Sequence, residues 1–133
     1  MRQIQLIKPG GLNNISVCDI GAPKPRSDEV LIKVAASSLN YHDLLVALGT
    51  IPTDDKRVLL SDAAGEIIEI GSDVSEWKVG DQVMSVCFPN WQSGPPKYEL
   101  LSFIGDHEDG YATECIAIKA SAVTRIPNNF DLK

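Results

Sequence analysis

The sequence predicts a small, mainly β protein: a partly open β-barrel with one or two short helices and a long inserted loop. Three observations carry that expectation. Six or seven short runs alternate apolar and polar residues, the period of two that a half-buried strand requires. Gly, Asp and Pro clusters separate these runs at close spacing, as turns between neighbouring strands do. The one run with helical spacing, Leu44, Leu45 and Leu48, is about two turns long.

Taken in order, IQLI (4–7) is a short strand that ends at the turn Lys8-Pro9-Gly10-Gly11. ISVCDI (15–20) alternates and is a second strand, and the two prolines of GAPKPRSDE (21–29) make the next stretch a loop. VLIKVAASSL (30–39) is the longest strand, with Val30, Ile32 and Val34 on one face. Asn40 stops it. YHDLLVAL (41–48) is the helix, with Gly49 as its C-terminal stop, and TIPTDDKRV (50–58) is a loop. AGEIIEIG (64–71) and QVMSVCF (82–88) are strands joined by the turn-rich GSDVSEWKVGD. The stretch 88–110 holds three prolines and three glycines and is the inserted loop. YATECIAIKA (111–120) and AVTRIP (122–127) close the chain as strands.

Composition bounds the function. With 133 residues, 44% hydrophobic and 23% charged, the chain is one domain of ordinary soluble composition. A net charge of −6 without any Lys/Arg run argues against a nucleic-acid partner. No apolar stretch is long enough for a membrane helix, and MRQIQLIKPGG lacks the apolar core of a signal peptide. A cytoplasmic protein with no membrane partner is the expectation. Cys18, Cys87 and Cys115 have no CxxC spacing and sit in apolar runs, so three buried, reduced core thiols are expected.

Three stretches together carry a resemblance. APKPRSDEVLIKVAASSLNYHDLLVALG, VLLSDAAGEIIEIGSDVSEWKVGDQVMS and DGYATECIAIKASAVTRIPNNF resemble the N-terminal, GroES-like catalytic domain of the medium-chain dehydrogenase/reductases. The likeness runs from about residue 15 to 130, and AGEIIEIGSDVSEWKVGDQV is its most specific part. It is greatest to the zinc-independent, quinone oxidoreductase-like branch. The insert FPNWQSGPP…GDHEDGYATE resembles a subgroup described as alcohol dehydrogenase-like. The turns at Gly71-Ser72 and Gly80-Asp81 identify this fold and carry no chemistry.

The resemblance implies where a catalytic zinc would sit. Zinc-dependent members have a Cys at the position of Asn40 and a His at that of Ser61, in a run that here is Leu60-Ser61-Asp62. An amide and a hydroxyl are poor zinc ligands, and one carboxylate cannot hold the ion. The structural zinc of those relatives needs four Cys in the long loop, and 88–110 has none. No zinc is expected at either place. His42 is expected as a polar surface or hydrogen-bonded residue. Asp106, His107, Glu108 and Asp109 are expected as a solvated acidic loop tip.

The same resemblance implies hydride transfer between NAD(P)H and a small-molecule quinone, enone, aldehyde or alcohol, with hydrogen-bond donors in place of a metal. Asn40, Tyr41 and Asp43 match positions lining the nicotinamide pocket and are the candidate catalytic residues. Asn40, Asp43, Ser61 and Asp62 are the candidate cofactor-facing ones, with Ser61 and Asp62 expected as a hydrogen-bonded pair. Equally, Asn40 and Asp43 fit a capping box that opens the helix, and the two roles are compatible.

No strand runs into G-x-G-x-x-G, the fingerprint of a dinucleotide-binding half. The expected organisation is a single GroES-like domain over 1–133, with the Rossmann domain outside it. The expected partners are a second copy or a complementing Rossmann-domain chain. Two functions fit the sequence: the catalytic-domain portion of a zinc-free oxidoreductase, inactive alone, or a stand-alone barrel acting as a binding or assembly module. Either way, this polypeptide by itself binds NAD(P)H weakly or not at all. A fluorescence titration with NADPH should show no saturation; tight, saturable binding would overturn the expectation.

Overall fold

Val30, Leu31 and Ile32 are three consecutive buried residues, and they lie at the centre of the molecule. The computed structural model describes residues 1–132. Its strands are β1 (Arg2–Leu6), β2 (Ile15–Asp19), β3 (Glu29–Ala36), β4 (Arg57–Val58), β5 (Ala64–Ile70), β6 (Gln82–Ser85), β7 (Cys115–Lys119) and β8 (Val123–Arg125), with one α-helix, α1 (Tyr41–Ala47). Two antiparallel sheets result: a five-stranded one in the order β7-β3-β5-β6-β8 and a three-stranded one in the order β2-β1-β4. The protein is mainly β, as the alternation predicts.

Register follows the apolar pattern. Val30 pairs with Ile70 and Ile118, and Ile32 with Ile67 and Ile116. Val30, Ile32, Ile67, Val83 and Val123 thereby gather into one core, with Ile116, Ile118 and Trp77 packed on it. A slip of one residue would turn each of these outward. Opposite Val34 stands Gly65, where the register shifts; a Cβ there would overlap the Lys33 carbonyl, so only glycine lets β5 approach β3. In the turn before β6, Gly80 has φ 92° and the buried Asp81 carboxylate accepts the Lys78 N–H at 3.1 Å.

A second core joins α1 to the small sheet through Leu6, Val46, Val58, Leu59 and Ala112. A third, of Ala63, Ile104 and Tyr111, attaches the inserted loop to the large sheet. Residues 58–60 and 110–112 run side by side: Gly110, Tyr111 and Ala112 N–H groups donate to the Val58, Leu60 and Leu59 carbonyls at 2.8–2.9 Å. This seam fixes the direction of the segment that carries Ser61 and Asp62.

Several elements differ from the expectation. Arg57–Val58, expected as loop, pairs with Gln5 and Leu6, because a buried Val58 must have its backbone polar groups satisfied. Residues 111–114, expected as strand, instead bond irregularly to β1 and to 59–60. Short 3-10 turns occupy Leu12–Asn14, Tyr98–Leu100 and Ala120–Ala122. The expected core thiols are not buried: Cys18 and Cys115 are half-buried, and Cys87 is exposed because β6 ends at Ser85, before it. The acidic tip is not uniformly solvated either, since Asp106 is buried while His107, Glu108 and Asp109 are exposed. Among the described residues no helix is long and apolar enough to cross a membrane.

Candidate functional site

The end of β3, the mouth of α1 and the segment 58–62 meet at one place. Asn40, extended at φ −98° and ψ 157°, is the N-cap of α1. Its backbone N–H donates to the Asp43 carboxylate at 2.9 Å, one arm of the capping box. The reciprocal arm, from the Asp43 N–H to the Asn40 side chain, has the capping-box arrangement but not strict hydrogen-bond alignment. Asp43 is buried and adds its charge to the first turn, where the helix dipole favours it.

The Asn40 amide nitrogen is turned the other way. It donates to Ser61 Oγ at 3.0 Å and to Asp62 Oδ2 at 2.7 Å. Ser61 and Asp62 are thus joined through Asn40 rather than paired directly, as had been expected. Asp62 also gathers two serines that sequence reasoning passed over: Ser38 Oγ donates to its carboxylate at 3.0 Å and Ser37 Oγ to its backbone carbonyl at 2.7 Å. Their one signal was a polar pair at the end of an otherwise apolar strand run. Leu60, at φ 72°, turns the chain ahead of Ser61. That conformation costs a bulky side chain on the order of 1–3 kcal/mol, and the seam with 110–112 holds it.

A cleft of about 420 Å³ opens beside this network, lined by Ser37, Ser38, Asp62, Ala64, Met84 and Ser85 among others. Another concavity, about 750 Å³, runs along β7 and contains none of Asn40, Ser61 and Asp62. Tyr41 is exposed at the helix mouth. Cys87 is close enough to feel Asp62, and burial followed by that charge raises its thiol above the ordinary value. Tyr111 is buried beneath the cleft; its hydroxyl approaches Ser85 without an aligned hydrogen bond, and burial first, then nearby Asp62 and Glu108, drives its ionisation well above the usual range.

The donors converging at the Asn40 position are an amide, a hydroxyl and one carboxylate, already bonded to each other. Among the described residues no three His, Cys, Asp or Glu side chains converge as a metal-holding group. Zinc wants thiolate, imidazole or several carboxylates, so this donor set does not fit it.

Comparison with known proteins settles the family. A profile described as the alcohol dehydrogenase GroES-like domain matches residues 26–128. The chain belongs to that family. Its relatives are medium-chain dehydrogenase/reductases. It is 33% identical over 108 residues to a zinc-type alcohol dehydrogenase-like protein of Schizosaccharomyces pombe, covering 79% of this chain and 31% of that protein. It is 31% identical over 131 residues to the acryloyl-coenzyme A reductase of Metallosphaera sedula, covering 92% of this chain and 39% of the reductase. The Escherichia coli quinone oxidoreductase, solved with NADPH, superposes on 99% of this chain with a TM-score of 0.75, covering 35% of the larger protein; at 21% identity it shows the fold alone. This GroES-like chain therefore spans less than half the length of these relatives.

The closeness of Asp62 to Cys87 is open to direct measurement. Asp62→Asn removes a negative charge that opposes the thiolate, so alkylation of Cys87 by iodoacetamide at pH 8 should quicken roughly two- to fivefold. An unchanged rate, followed by mass mapping of Cys87, would show that the two groups are not coupled.

Proposed function

We propose that this chain is the substrate-binding portion of a zinc-free, NAD(P)(H)-dependent oxidoreductase whose nucleotide-binding Rossmann domain lies outside residues 1–133. The observation that carries the reading is the Asn40 amide bonded to both Ser61 and Asp62. In the zinc-dependent pattern two of those three positions belong to metal ligands. Here they form a closed polar network instead.

NAD(P)H supplies a hydride when bound, and the protein's task is to orient the acceptor and meet its developing charge. Asn40, Asp43, Ser61 and Asp62 form the wall that would face the cofactor. Both N–H bonds of the Asn40 amide are already used, so Asn40 reaches a substrate oxygen only by giving one up. Its main work is to hold Ser61 and Asp62 in place. Tyr41, exposed beside it, is the phenol free to donate to a carbonyl or enolate oxygen. Asp43 keeps the helix mouth that presents Tyr41.

Surface chemistry supports a docking domain. Leu39, 84% exposed, and Tyr41, Leu44 and Leu48 on the outer side of α1 line up as an apolar stripe at i, i+3 and i+7 spacing. A nucleotide-binding portion closing over the site would cover that stripe. The name of the Metallosphaera sedula acryloyl-coenzyme A reductase makes a conjugated carbonyl the substrate class to try first.

The test joins this chain to the coding sequence that follows Lys133 and assays NADH and NADPH oxidation with quinones, enones and aldehydes. Turnover should appear with at least one acceptor, and Tyr41→Phe should lower kcat by about 10- to 100-fold with KM little changed. Absence of any turnover, or a reading frame that does not continue into a Gly-rich βαβ segment, would defeat the proposal and favour a non-catalytic barrel.

A further inference from the structure

The cleft of about 420 Å³ beside the Asn40 network is lined by Asp62 but by none of Asn40, Tyr41 and Asp43. It therefore opens to one side of the wall described above. Three neighbouring strands build its floor. Ala36 of β3 pairs with Ala64 of β5, and Ala64 with Met84 of β6, so the three residues form one row across the sheet. Ala64 and Met84 alternate along their strands with the core residues Ile67 and Val83, which puts the row on the opposite face. The row is apolar, and its two alanines leave room above them. Past the ends of β3 and β5 stand Ser37, Ser38 and Asp62.

The side-chain protons at that polar end are committed. Ser38 Oγ–H donates to Asp62 Oδ2 at 3.0 Å and Ser37 Oγ–H to the Asp62 carbonyl at 2.7 Å. Ser85 also lines the cleft, but it shares the parity of Val83 and turns its hydroxyl inward. There Oγ accepts the Ala63 N–H at 3.0 Å and lies near the buried Tyr111 hydroxyl. The side chains left to meet a ligand are acceptors: the Ser37 and Ser38 oxygens, and Asp62 Oδ1, which no hydrogen bond from a described residue reaches. Among the described residues Asp62 is the one charged group lining the cleft. A carbonyl oxygen placed here would face acceptors, and an anion would face a carboxylate as well. A hydrogen-bond donor would find partners.

We infer that this cleft takes the part of the substrate remote from the reacting carbonyl, and that Asp62 selects tails carrying a hydrogen-bond donor, a hydroxyl or an amide N–H, over anionic ones. The inference rests on the oxidoreductase reading for the reacting end of the substrate, and on the cleft alone for the preference. Asp62 then has two tasks: Oδ2 holds Asn40 and Ser38, and Oδ1 meets the ligand. A cofactor ribose offers the same donor chemistry, so the test separates the two sources.

Three matched methyl-ketone enones, with tails ending in a methyl, a hydroxymethyl or a carboxylate group, serve as probes. Added at millimolar concentration to the 15N-labelled chain, the hydroxymethyl enone should shift the amides of 36–38, 62–64 and 84–85 saturably. The methyl enone should bind there more weakly and the carboxylate enone not at all. No saturable shift, equal binding of the hydroxymethyl and carboxylate enones, or shifts confined to other segments would overturn the inference. In the joined oxidoreductase, kcat/KM should favour the hydroxymethyl over the carboxylate enone by about tenfold or more. Asp62→Asn should shrink that ratio about fivefold, and so should Met84→Lys, which adds a cation to the same row, even if Asp62→Asn fails to fold. The ratio compares two substrates on one protein, so a general loss of activity does not move it. A wild-type ratio near one, or a Met84→Lys effect that falls on the KM for NAD(P)H instead, would overturn the assignment of the cleft to substrate. An inactive joined protein would count against the oxidoreductase reading, while the amide shifts would still decide what the cleft selects.

Discussion

Two hydrogen bonds from one amide, Asn40 to Ser61 and to Asp62, join parts of the chain about twenty residues apart. The bond to the Asp62 carboxylate is charge-assisted and short, of a kind that contributes about 1.5–3 kcal/mol. Around it the other features fall into place. Asp43 caps α1 and so aims Asn40. Leu60 accepts a strained backbone so that Ser61 and Asp62 can meet the amide. Ser38 donates to the same Asp62 carboxylate oxygen and Ser37 to the Asp62 backbone carbonyl. A thiolate at position 40 would instead face the Asp62 carboxylate, charge against charge. Under the zinc-free reading proposed above, the network and a metal centre are alternatives for the same space.

Much of this architecture was legible in the sequence because it rests on local rules. Alternation placed β3 and β5, and the spacing of Leu44, Leu45 and Leu48 together with Asn40 and Gly49 placed α1 within a residue of its ends. The identity of residues 40, 61 and 62 argued against zinc ligands there, but the bonding of Ser61 and Asp62 through the Asn40 amide was not foreseen, a direct pair having been expected. Other parts depended on contacts between distant segments. The pairing of Arg57–Val58 with β1 adds only two residues, too few for a periodic signal. Asp106 looked solvated because its neighbours are charged; its burial comes from the chain reversal around Gly105 and from Phe103 and His42, contributed by two different elements. Cys87 looked apolar from its neighbours Val86 and Phe88, but β6 has already ended there. Ser37 and Ser38 lacked any pattern beyond being polar.

The inserted loop is the part whose purpose changes most once folded. Its prolines and glycines suggested an excursion, yet Ile104 and Tyr111 reach the core and Gly110 through Ala112 run along 58–60. Phe88, Phe103 and His42 stand in sequence as ring contacts of 5.4 and 4.3 Å, linking the end of β6 to α1 through the loop. Arg57 adds a polar tie, bridging Asp54 and Asp109 at 3.0 and 3.1 Å. The loop thereby packs against α1 as well as over the sheet.

The central proposal is that the polar network stands where zinc-dependent members would hold a metal. Calorimetric titration of the chelator-treated protein with Zn²⁺ tests it most directly. The account predicts no stoichiometric, submicromolar site that depends on Asn40, Ser61 or Asp62. One tight equivalent of zinc, lost in Asp62→Asn, would contradict it.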